Sequence, residues 1–256
     1  MAGKRKEVLG VILARGDSKS IPEKNIYPCA GKPLLYYTVM AAQHSRLISR
    51  LIISTDNEKI ASIARKLDVE VPFMRPKELA QDSTPDLPVF QHALTFLKEK
   101  EGYEPDAVVH LRPTTPLKSS ADIDTGIQLL LENPDATSVR SVCSPLHTPF
   151  KMYMLDEGEK FLKPLLTSVY PDVFQKYPEA FNMPRQLLPK VHRHSGYVDV
   201  VRPEVIVKRN SMSGTRILPL VFQEWRDIDI DSIKELRWAE EVIRSLQEKG
   251  KESWQA

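Results

Sequence analysis

Short runs of apolar residues alternate along the chain with longer segments in which apolar residues recur every three or four positions. The runs carry few polar side chains, which is typical of strands buried on both faces of a parallel sheet, and the longer segments have helical spacing. Their alternation predicts βαβ units and an α/β fold with a mostly parallel sheet. Strands are predicted at residues 8–13, 51–55, 69–74, 107–111, 137–143, 197–201 and 217–222. Helices are predicted at 33–45, 88–100, 121–132 and 233–247, with another that Asp56 or Asn57 caps and that runs to Leu67.

Residues 144–190 break this alternation. Prolines recur through the segment, and large aromatic residues stand between them. Aromatic side chains favour burial, so we predict an extension that packs against another surface, most simply a second subunit. A flap that folds back on its own chain is the alternative.

Length and composition narrow the class of protein. The 256 residues fit a single domain spanning 1–256, and the net charge of +2 gives no reason to expect nucleic acid or an anionic membrane as a partner. Two cysteines are too few for a disulfide framework and favour a cytoplasmic location. No apolar run has the length of a membrane span, and residues 1–6 lack the apolar core of a signal peptide.

The first predicted strand leads directly into a loop that carries Arg15, Lys19 and Lys24. Ligands of parallel sheets bind beyond the carboxyl ends of the strands, and a basic loop there favours a polyanion such as a nucleoside triphosphate. Gly16 is the only glycine of this loop, so it is neither a Walker A loop nor a GxGxxG loop. Arg15 and Lys24 are therefore the candidate phosphate-binding cations, assisted by Ser18 and neighbouring amides.

Asp229 and Asp231 form the candidate metal site. Residues two apart on an extended segment project to the same side, so both carboxylates can approach one cation. Mg²⁺ prefers oxygen ligands, commonly one or two carboxylates together with substrate phosphates and water. The alternative is that Asp231 caps the predicted helix that begins just after it.

These features belong to an ordered series of motifs along most of the chain. The motifs are ARGDSKSIPEKN at 14–25, GKPL at 31–34, STD at 54–56, RPKELA at 75–80, LRPTTPL at 111–117, PRQ at 184–186 and DID at 229–231. The series resembles the acylneuraminate cytidylyltransferase family, whose members make CMP-activated sialic acids and related nonulosonic acids. The resemblance implies a Rossmann-like, doubly wound fold and a homodimer built partly by residues 144–190.

The resemblance also implies roles for individual residues. Arg15 and Lys24 match cations that contact the phosphates of CTP, and Asp229 and Asp231 match the metal-binding pair. The remaining matched positions are Ala14, Ser18, Asn25, Arg75 and Thr84 for the nucleotide and Arg112, Arg185 and Arg193 for the sugar. For Arg75, the alternative is a surface ion pair with Glu78.

Three positions depart from the family pattern. Arg112 stands where typical sialic-acid enzymes have Gln, Ser195 where the family commonly has Asn, and Asp86 where relatives often carry Ser or Thr. From the arginine at position 112 we infer that the acceptor differs from ordinary N-acetylneuraminate. The alternative is that Arg112 turns away from the site and pairs with Asp106 or Asp122.

The predicted function is transfer of CMP from CTP to the anomeric hydroxyl of a nonulosonic acid, with Mg²⁺ as cofactor and release of pyrophosphate. A Kdo-type cytidylyltransferase is the enzyme alternative. A CTP-binding protein without catalytic activity is the alternative from another class.

Overall fold

The computed structural model of the protein describes residues 6–166, 170–177 and 179–248. Contacts within the chain divide it into two compact units. The first unit comprises residues 1–142 and 194–256, and the second comprises residues 143–193.

A six-stranded sheet with the strand order β10-β6-β9-β5-β1-β4 forms the centre of the first unit. β1 pairs in parallel with both β4 and β5, and β10 pairs in parallel with β6, whereas β9 runs antiparallel to β5. The sheet is therefore mostly parallel, as predicted. Its strands are β1 (Val8–Leu13), β4 (Arg50–Ser54), β5 (Ala107–Leu111), β6 (Ser138–Cys143), β9 (Arg193–Val201) and β10 (Ile217–Val221). The short strands β2 (Pro28–Cys29) and β3 (Lys32–Pro33) pair with each other.

Helices cover both faces of this sheet. They are α1 (Leu34–Gln43), α2 (Glu58–Lys66), α3 (Asp86–Glu101), α4 (Ser120–Glu132) and α6 (Pro203–Val207). The last helix, α7 (Ile233–Glu248), packs instead in a separate buried cluster with residues of β2 and α1. Alternate side chains of β1 point to opposite faces. Val8 and Ile12 join a buried cluster with residues of α1, α2 and α4, whereas Leu9 and Val11 join one with residues of α3 and α6. This arrangement confirms the doubly wound fold.

The structure differs from the predicted elements at residues 69–74 and at α6. The strand predicted at 69–74 is reduced to isolated bridges from Glu70 to Ile52 and from Met74 to Thr55. Pro72 lies between the bridges and has no backbone N–H to donate to a ladder, which explains the interruption. Helix α6 was not predicted, because five residues are too few to show a helical period.

The second unit contains little regular structure. It has the antiparallel pair β7 (Tyr153–Met154) and β8 (Lys163–Pro164), and helix α5 (Pro171–Lys176). Some of its aromatic rings contact one another, such as Tyr153 with Phe181, but the side chain of Phe161 remains 71% exposed. The extension predicted at residues 144–190 lies within this unit, and its role in dimer formation stays a prediction.

None of the described helices has the length and apolar character that crossing a membrane requires.

Candidate functional site

A cavity of about 230 Å³ lies in the first unit at the carboxyl ends of β1 and β5, beside the start of α3. Parallel sheets place their ligand sites at this edge. Of the residues predicted from the sequence, the lining includes Arg15, Ser18, Lys24, Asn25, Arg75, Thr84 and Arg112. Ala14 does not line it: this residue is fully buried, and its N–H donates to the carbonyl of Ser54 at 3.1 Å.

The loop after β1, residues 14–25, is fixed to the neighbouring strand and helix. The N–H of Gly16 donates to Oδ1 of Asp56 at 2.8 Å. A Cβ at position 16 would lie 2.6 Å from Nδ2 of Asn57, so the close approach requires glycine. Asn57 itself caps α2 by accepting from the N–H groups of Lys59 and Ile60. The STD motif and the residue after it therefore anchor the loop.

Lys24 and Asn25 hold the far end of the same loop. The Lys24 side chain is only 14% exposed, and its Nζ donates to the Ile230 carbonyl at 2.9 Å and to Asp231 Oδ1 at 3.2 Å. Nδ2 of Asn25 donates to the carbonyl of Arg15 at 2.9 Å. The loop thus brings a cation beside the acidic segment that follows in sequence some two hundred residues later.

Asp82 neutralises the other two cations of the loop. Arg15 forms an ion pair with it, and Lys19 Nζ lies 2.9 Å from its Oδ2. Hydrogen bonds from Lys19 and Arg15 hold the pKa of Asp82 below its usual value. Asp82 lines the cavity, but nothing in the local sequence around it indicates which cations it meets.

Arg75 forms part of the cavity wall from a buried position. It is 6% exposed, and its Nε donates to Ser54 Oγ at 3.0 Å. Burial lowers the pKa of its guanidinium to about 10, so the group is still protonated at neutral pH. The hydrogen bonds to Ser54 replace the surface ion pair with Glu78 that was the alternative, because the side chain turns inward.

Asp229 is the half-buried member of the acidic pair. Burial raises its pKa, although a hydrogen bond with Thr114 acts in the opposite direction. Its Oδ1 is buried and has no hydrogen-bond partner in the described part of the chain. A buried carboxylate oxygen without a partner is costly unless a ligand satisfies it, so this atom is suited to a cation.

Asp231 is the exposed member, with 82% of its side chain accessible, and it does not cap α7. The cap is Ser232: its Oγ accepts from the N–H of Lys234 at 3.2 Å, and Glu235 Oε2 accepts from the N–H of Ser232 at 2.8 Å. This is a capping box, and it contradicts the alternative that Asp231 only ends a helix.

The two carboxylates fit Mg²⁺ better than a metal that needs a complete protein cage. Within the described ranges, no group of three or more His, Cys, Asp or Glu side chains is placed to hold a metal ion. Mg²⁺ commonly takes one or two carboxylates and fills its remaining positions with water and substrate phosphates.

Arg112 lies in a network of charges on the part of the cavity wall that the turn after β5 forms. Its Nη1 donates to Asp199 Oδ2 at 2.9 Å, and its Nη2 donates to Asp86 Oδ2 at 3.1 Å. Asp199 is fully buried and also accepts from Arg140 Nη1 at 2.6 Å. The alternative partners of Arg112 were wrong, because Asp106 pairs with Lys6 and Asp122 pairs with Arg226.

The neighbours of Asp199 favour the ionised form of its carboxyl group. Burial opposes its ionisation, but the hydrogen bond with His194 and the charges of Arg140 and Arg112 outweigh burial. Together they keep the pKa of Asp199 well below its usual range. Sequence reasoning missed this residue, since it lies within the strand pattern of β9 and resembles an ordinary polar position.

His110 is another cavity residue that the sequence did not reveal. It is 1% exposed, and its Nδ1 lies 3.7 Å from Asp86 Oδ2. Burial, followed by the positive charge of Arg112, lowers the pKa of His110 to about 3. The imidazole is therefore neutral at physiological pH and contributes shape and polarity.

The other two predicted sugar-binding residues belong to the second unit. Arg185 lines a separate cavity of about 480 Å³ there, and its Nη2 donates to the carbonyl of Pro145 at 2.8 Å. Arg193 is the exposed first residue of β9. Their contact with a sugar stays a prediction. Ser195 is buried in the first unit, where its Oγ lies 3.2 Å from Ser141 Oγ and accepts from the N–H of Tyr197 at 3.1 Å.

Comparisons with known proteins show similarity over most of the chain. A family model described as cytidylyltransferase matches residues 9–251. Post-translational flagellin modification protein B of Campylobacter coli is 27% identical, with 93% of this chain and 95% of that protein aligned. CMP-N,N'-diacetyllegionaminic acid synthase of Legionella pneumophila is 25% identical, with 94% of this chain and 98% of that protein aligned.

Among solved structures, the fold is similar to that of CMP:2-keto-3-deoxy-manno-octonic acid synthetase complexed with CTP. The TM-score is 0.64, and the match covers 93% of this chain and 99% of that one. At 13% sequence identity, this likeness concerns the fold alone.

Proposed function

The chain belongs to the cytidylyltransferase family, and from this premise we propose that it transfers CMP from CTP to the anomeric hydroxyl of a nonulosonic acid. One observation carries the proposal: Arg15, Lys24, Asn25 and Arg75 line one cavity, and Lys24 joins it directly to Asp231. The full-length match to a CMP-legionaminic acid synthase supports the choice of acceptor class.

The triphosphate is assigned to the loop after β1. Arg15 and Lys24 supply fixed positive charge, and Ser18 supplies a hydroxyl. As the bond to the α-phosphorus breaks, negative charge grows on the departing pyrophosphate. Positioned cations stabilise that charge, and removal of one such group typically costs a factor of about 10²–10³ in rate.

The nucleoside is assigned to the wall formed by Asn25, Arg75 and Thr84. Cytosine presents an exocyclic amine, a ring nitrogen and a carbonyl, so its pocket needs donors as well as acceptors. The guanidinium of Arg75 can donate to the acceptors of the base. Its hydrogen bond to Ser54 leaves it further N–H groups and fixes its plane.

The acidic pair is assigned to Mg²⁺. Asp229 and Asp231 would hold the ion, which when bound offsets the negative charge of the phosphates. Lys24 donates to Asp231 and orients that carboxylate. Oδ1 of Asp229, which has no hydrogen-bond partner among the described residues, is the oxygen assigned to the ion.

The sugar is assigned to Arg112, Arg185 and Arg193, and we propose that the enzyme works as a cytoplasmic homodimer joined through residues 144–190. Several large apolar side chains of the second unit support a partner surface: Leu146, Leu155, Phe161 and Leu187 are all more than half exposed.

In the proposed reaction, the anomeric oxygen of the sugar forms a bond to the α-phosphorus of CTP. The bond between the α-phosphorus and the oxygen that bridges it to the β-phosphorus breaks. Pyrophosphate leaves, and the hydroxyl proton passes to solvent or to a phosphate oxygen.

The test is pyrophosphate release from CTP and Mg²⁺ with a panel of free sugars: N-acetylneuraminate, its deaminated analogue, legionaminate, pseudaminate and Kdo. We expect turnover with a nonulosonic acid. Turnover with Kdo alone would replace the proposal with the Kdo-type activity. CTP binding without turnover of any sugar would favour the non-catalytic alternative.

A further inference from the structure

Lys118 is a fully buried lysine in the turn that follows β5, and the reaction described above does not use it. Its Nζ donates to the Arg112 carbonyl at 2.7 Å, the Thr115 carbonyl at 2.5 Å and Thr115 Oγ1 at 2.7 Å. It also lies 3.1 Å from Oγ1 of Thr38 on α1. The ammonium is therefore enclosed by oxygen atoms and does not reach the cavity.

These contacts fix the turn at residues 112–115. The carbonyl of Arg112 accepts from three side-chain donors, since Oγ1 of Thr38 and Oγ1 of Thr115 each lie 3.2 Å from it in addition to Lys118. It also accepts from the N–H of Thr115 at 3.4 Å. Arg112, Pro113 and Thr114 line the cavity from this turn. The carbonyl of Thr114 in turn accepts from the N–H of Ile230 at 2.8 Å, between the two acidic residues.

Packing alone does not require an amine at this position. Burial of an ammonium is costly, and burial lowers the pKa of Lys118 well below its usual value. A methionine side chain fills a similar volume without that cost. Hydrogen bonds that hold the turn in one geometry account for the lysine.

We propose that Lys118 is a positioning residue for nucleotidyl transfer, which acts by holding the turn 112–115 that links the cavity wall to the acidic segment 229–231. The inference rests on the proposed function, and it concerns the link between bound CTP and Mg²⁺. The loop after β1 has no described bond to Lys118 and contacts the acidic segment through Lys24. We therefore expect a smaller effect on triphosphate binding than on Mg²⁺ binding.

The test compares Lys118→Met with the wild type in two assays. In calorimetric titrations, CTP affinity in the presence of EDTA stays within about threefold of the wild type, whereas the Mg²⁺ concentration that half-saturates the CTP complex rises roughly tenfold. In the pyrophosphate assay, kcat falls about 10²-fold with little change in KM for CTP. Lys118→Arg restores N–H donors and recovers part of both losses, and Lys98→Met, at an exposed lysine on α3, changes neither.

Several outcomes would overturn the proposal. A Lys118→Met protein with kcat and Mg²⁺ dependence within twofold of the wild type would do so. Equal losses of CTP affinity with and without Mg²⁺ would show a structural role only. If Lys118→Met does not fold, Thr38→Val tests the same turn: a rise of a few-fold in the Mg²⁺ requirement supports the proposal, and wild-type behaviour refutes it. The calorimetric assay needs no sugar, so failure of the proposed acceptor leaves this test intact.

Discussion

The loop after β1 and the turn after β5 both bring arginine or lysine to the cavity, but the carboxylates that pair with these cations differ in burial. On the loop after β1, Arg15 pairs with Asp82 and Lys24 with Asp231, carboxylates whose side chains are 35% and 82% exposed. On the turn after β5, Arg112 pairs with Asp199, which is fully buried.

The difference separates cations that can exchange their carboxylate partner for a ligand from a cation that stays paired within the protein. Exposed ion pairs are weak because water competes for both partners, so phosphate oxygens can replace Asp82 or Asp231 at little cost. A buried carboxylate cannot give up its partners without a large penalty. We therefore expect the charges of Arg15 and Lys24 to act on the triphosphate. Arg112, held by Asp199, should keep Asp86 and its own N–H groups in fixed positions at the cavity.

The largest effect is expected at Asp199. In Asp199→Asn, Arg112 and Arg140 lose the charge that compensates them both, which should lower the free energy of unfolding by about 3–5 kcal/mol. Chemical denaturation measures it, and Asp135→Asn, at an exposed pair with Arg216, is the matched control with little change. Equal stabilities of the two variants would show that the buried pair is as replaceable as the exposed ones.

The same variant has a defined pH dependence. The pKa of Asp199 is depressed in the folded state, so its contribution is fully present above its unfolded pKa of about 3.9 and is lost as pH falls below that value toward the folded pKa. The difference in unfolding free energy between wild type and Asp199→Asn should persist down to about pH 5 and shrink below about pH 4. A difference that already shrinks near neutral pH would contradict the assignment.

Lys24 should give the largest loss of activity. Lys24→Met removes a cation from the phosphate side and a donor to Asp231, so kcat/KM for CTP should fall by about 10²–10³-fold. Lys19→Met is the control on the same loop: its side chain is 84% exposed, and we expect less than a fivefold change. Similar losses in both variants would mean that the loop contributes only its overall charge.

Substitutions at Asp231 and at its neighbour Ser232 distinguish the effect of metal binding from the effect of helix capping. Asp231→Asn should reduce kcat by roughly 10–100-fold, because one oxygen ligand becomes an uncharged amide, while the melting temperature stays close to that of the wild type. Ser232→Ala should do the reverse, with about 1 kcal/mol of stability lost and little change in kcat. Parallel losses of stability and activity in Asp231→Asn would contradict the metal assignment.

Features set by local sequence could be predicted well. The apolar run of β1 and the cations that follow it lie within a few residues of one another, so the strand and the loop are visible without tertiary information. The antiparallel direction of β9 was not visible, since the sequence pattern of a strand does not record its direction relative to its neighbours. The strand predicted at 69–74 failed because its apolar pattern contains Pro72 at the sheet edge.

Features set by distant contacts could not be predicted. Asp199 lies 87 residues from Arg112, and Asp82 lies 67 residues from Arg15. Neither carboxylate has a local signal that distinguishes it from a solvated surface charge. Lys118 is the extreme case: a lysine after a proline-rich turn resembles an exposed loop residue, and only the packing of α1 against the turn shows that it is buried.

The smallest effect is expected at Asp82, and its sign tests the comparison most directly. Asp82 competes with the phosphates for Arg15 and Lys19, so Asp82→Asn should tighten CTP binding by about two- to fivefold. Cytidine carries no phosphate and does not need those cations, so its affinity should stay unchanged in calorimetric titrations. Asp17→Asn, at another carboxylate that lines the cavity, controls for the general loss of negative charge. Weaker CTP binding in Asp82→Asn would mean that this carboxylate orients Arg15 and Lys19 for the triphosphate. The loop after β1 would then resemble the turn after β5, where a carboxylate holds Arg112 in a fixed position.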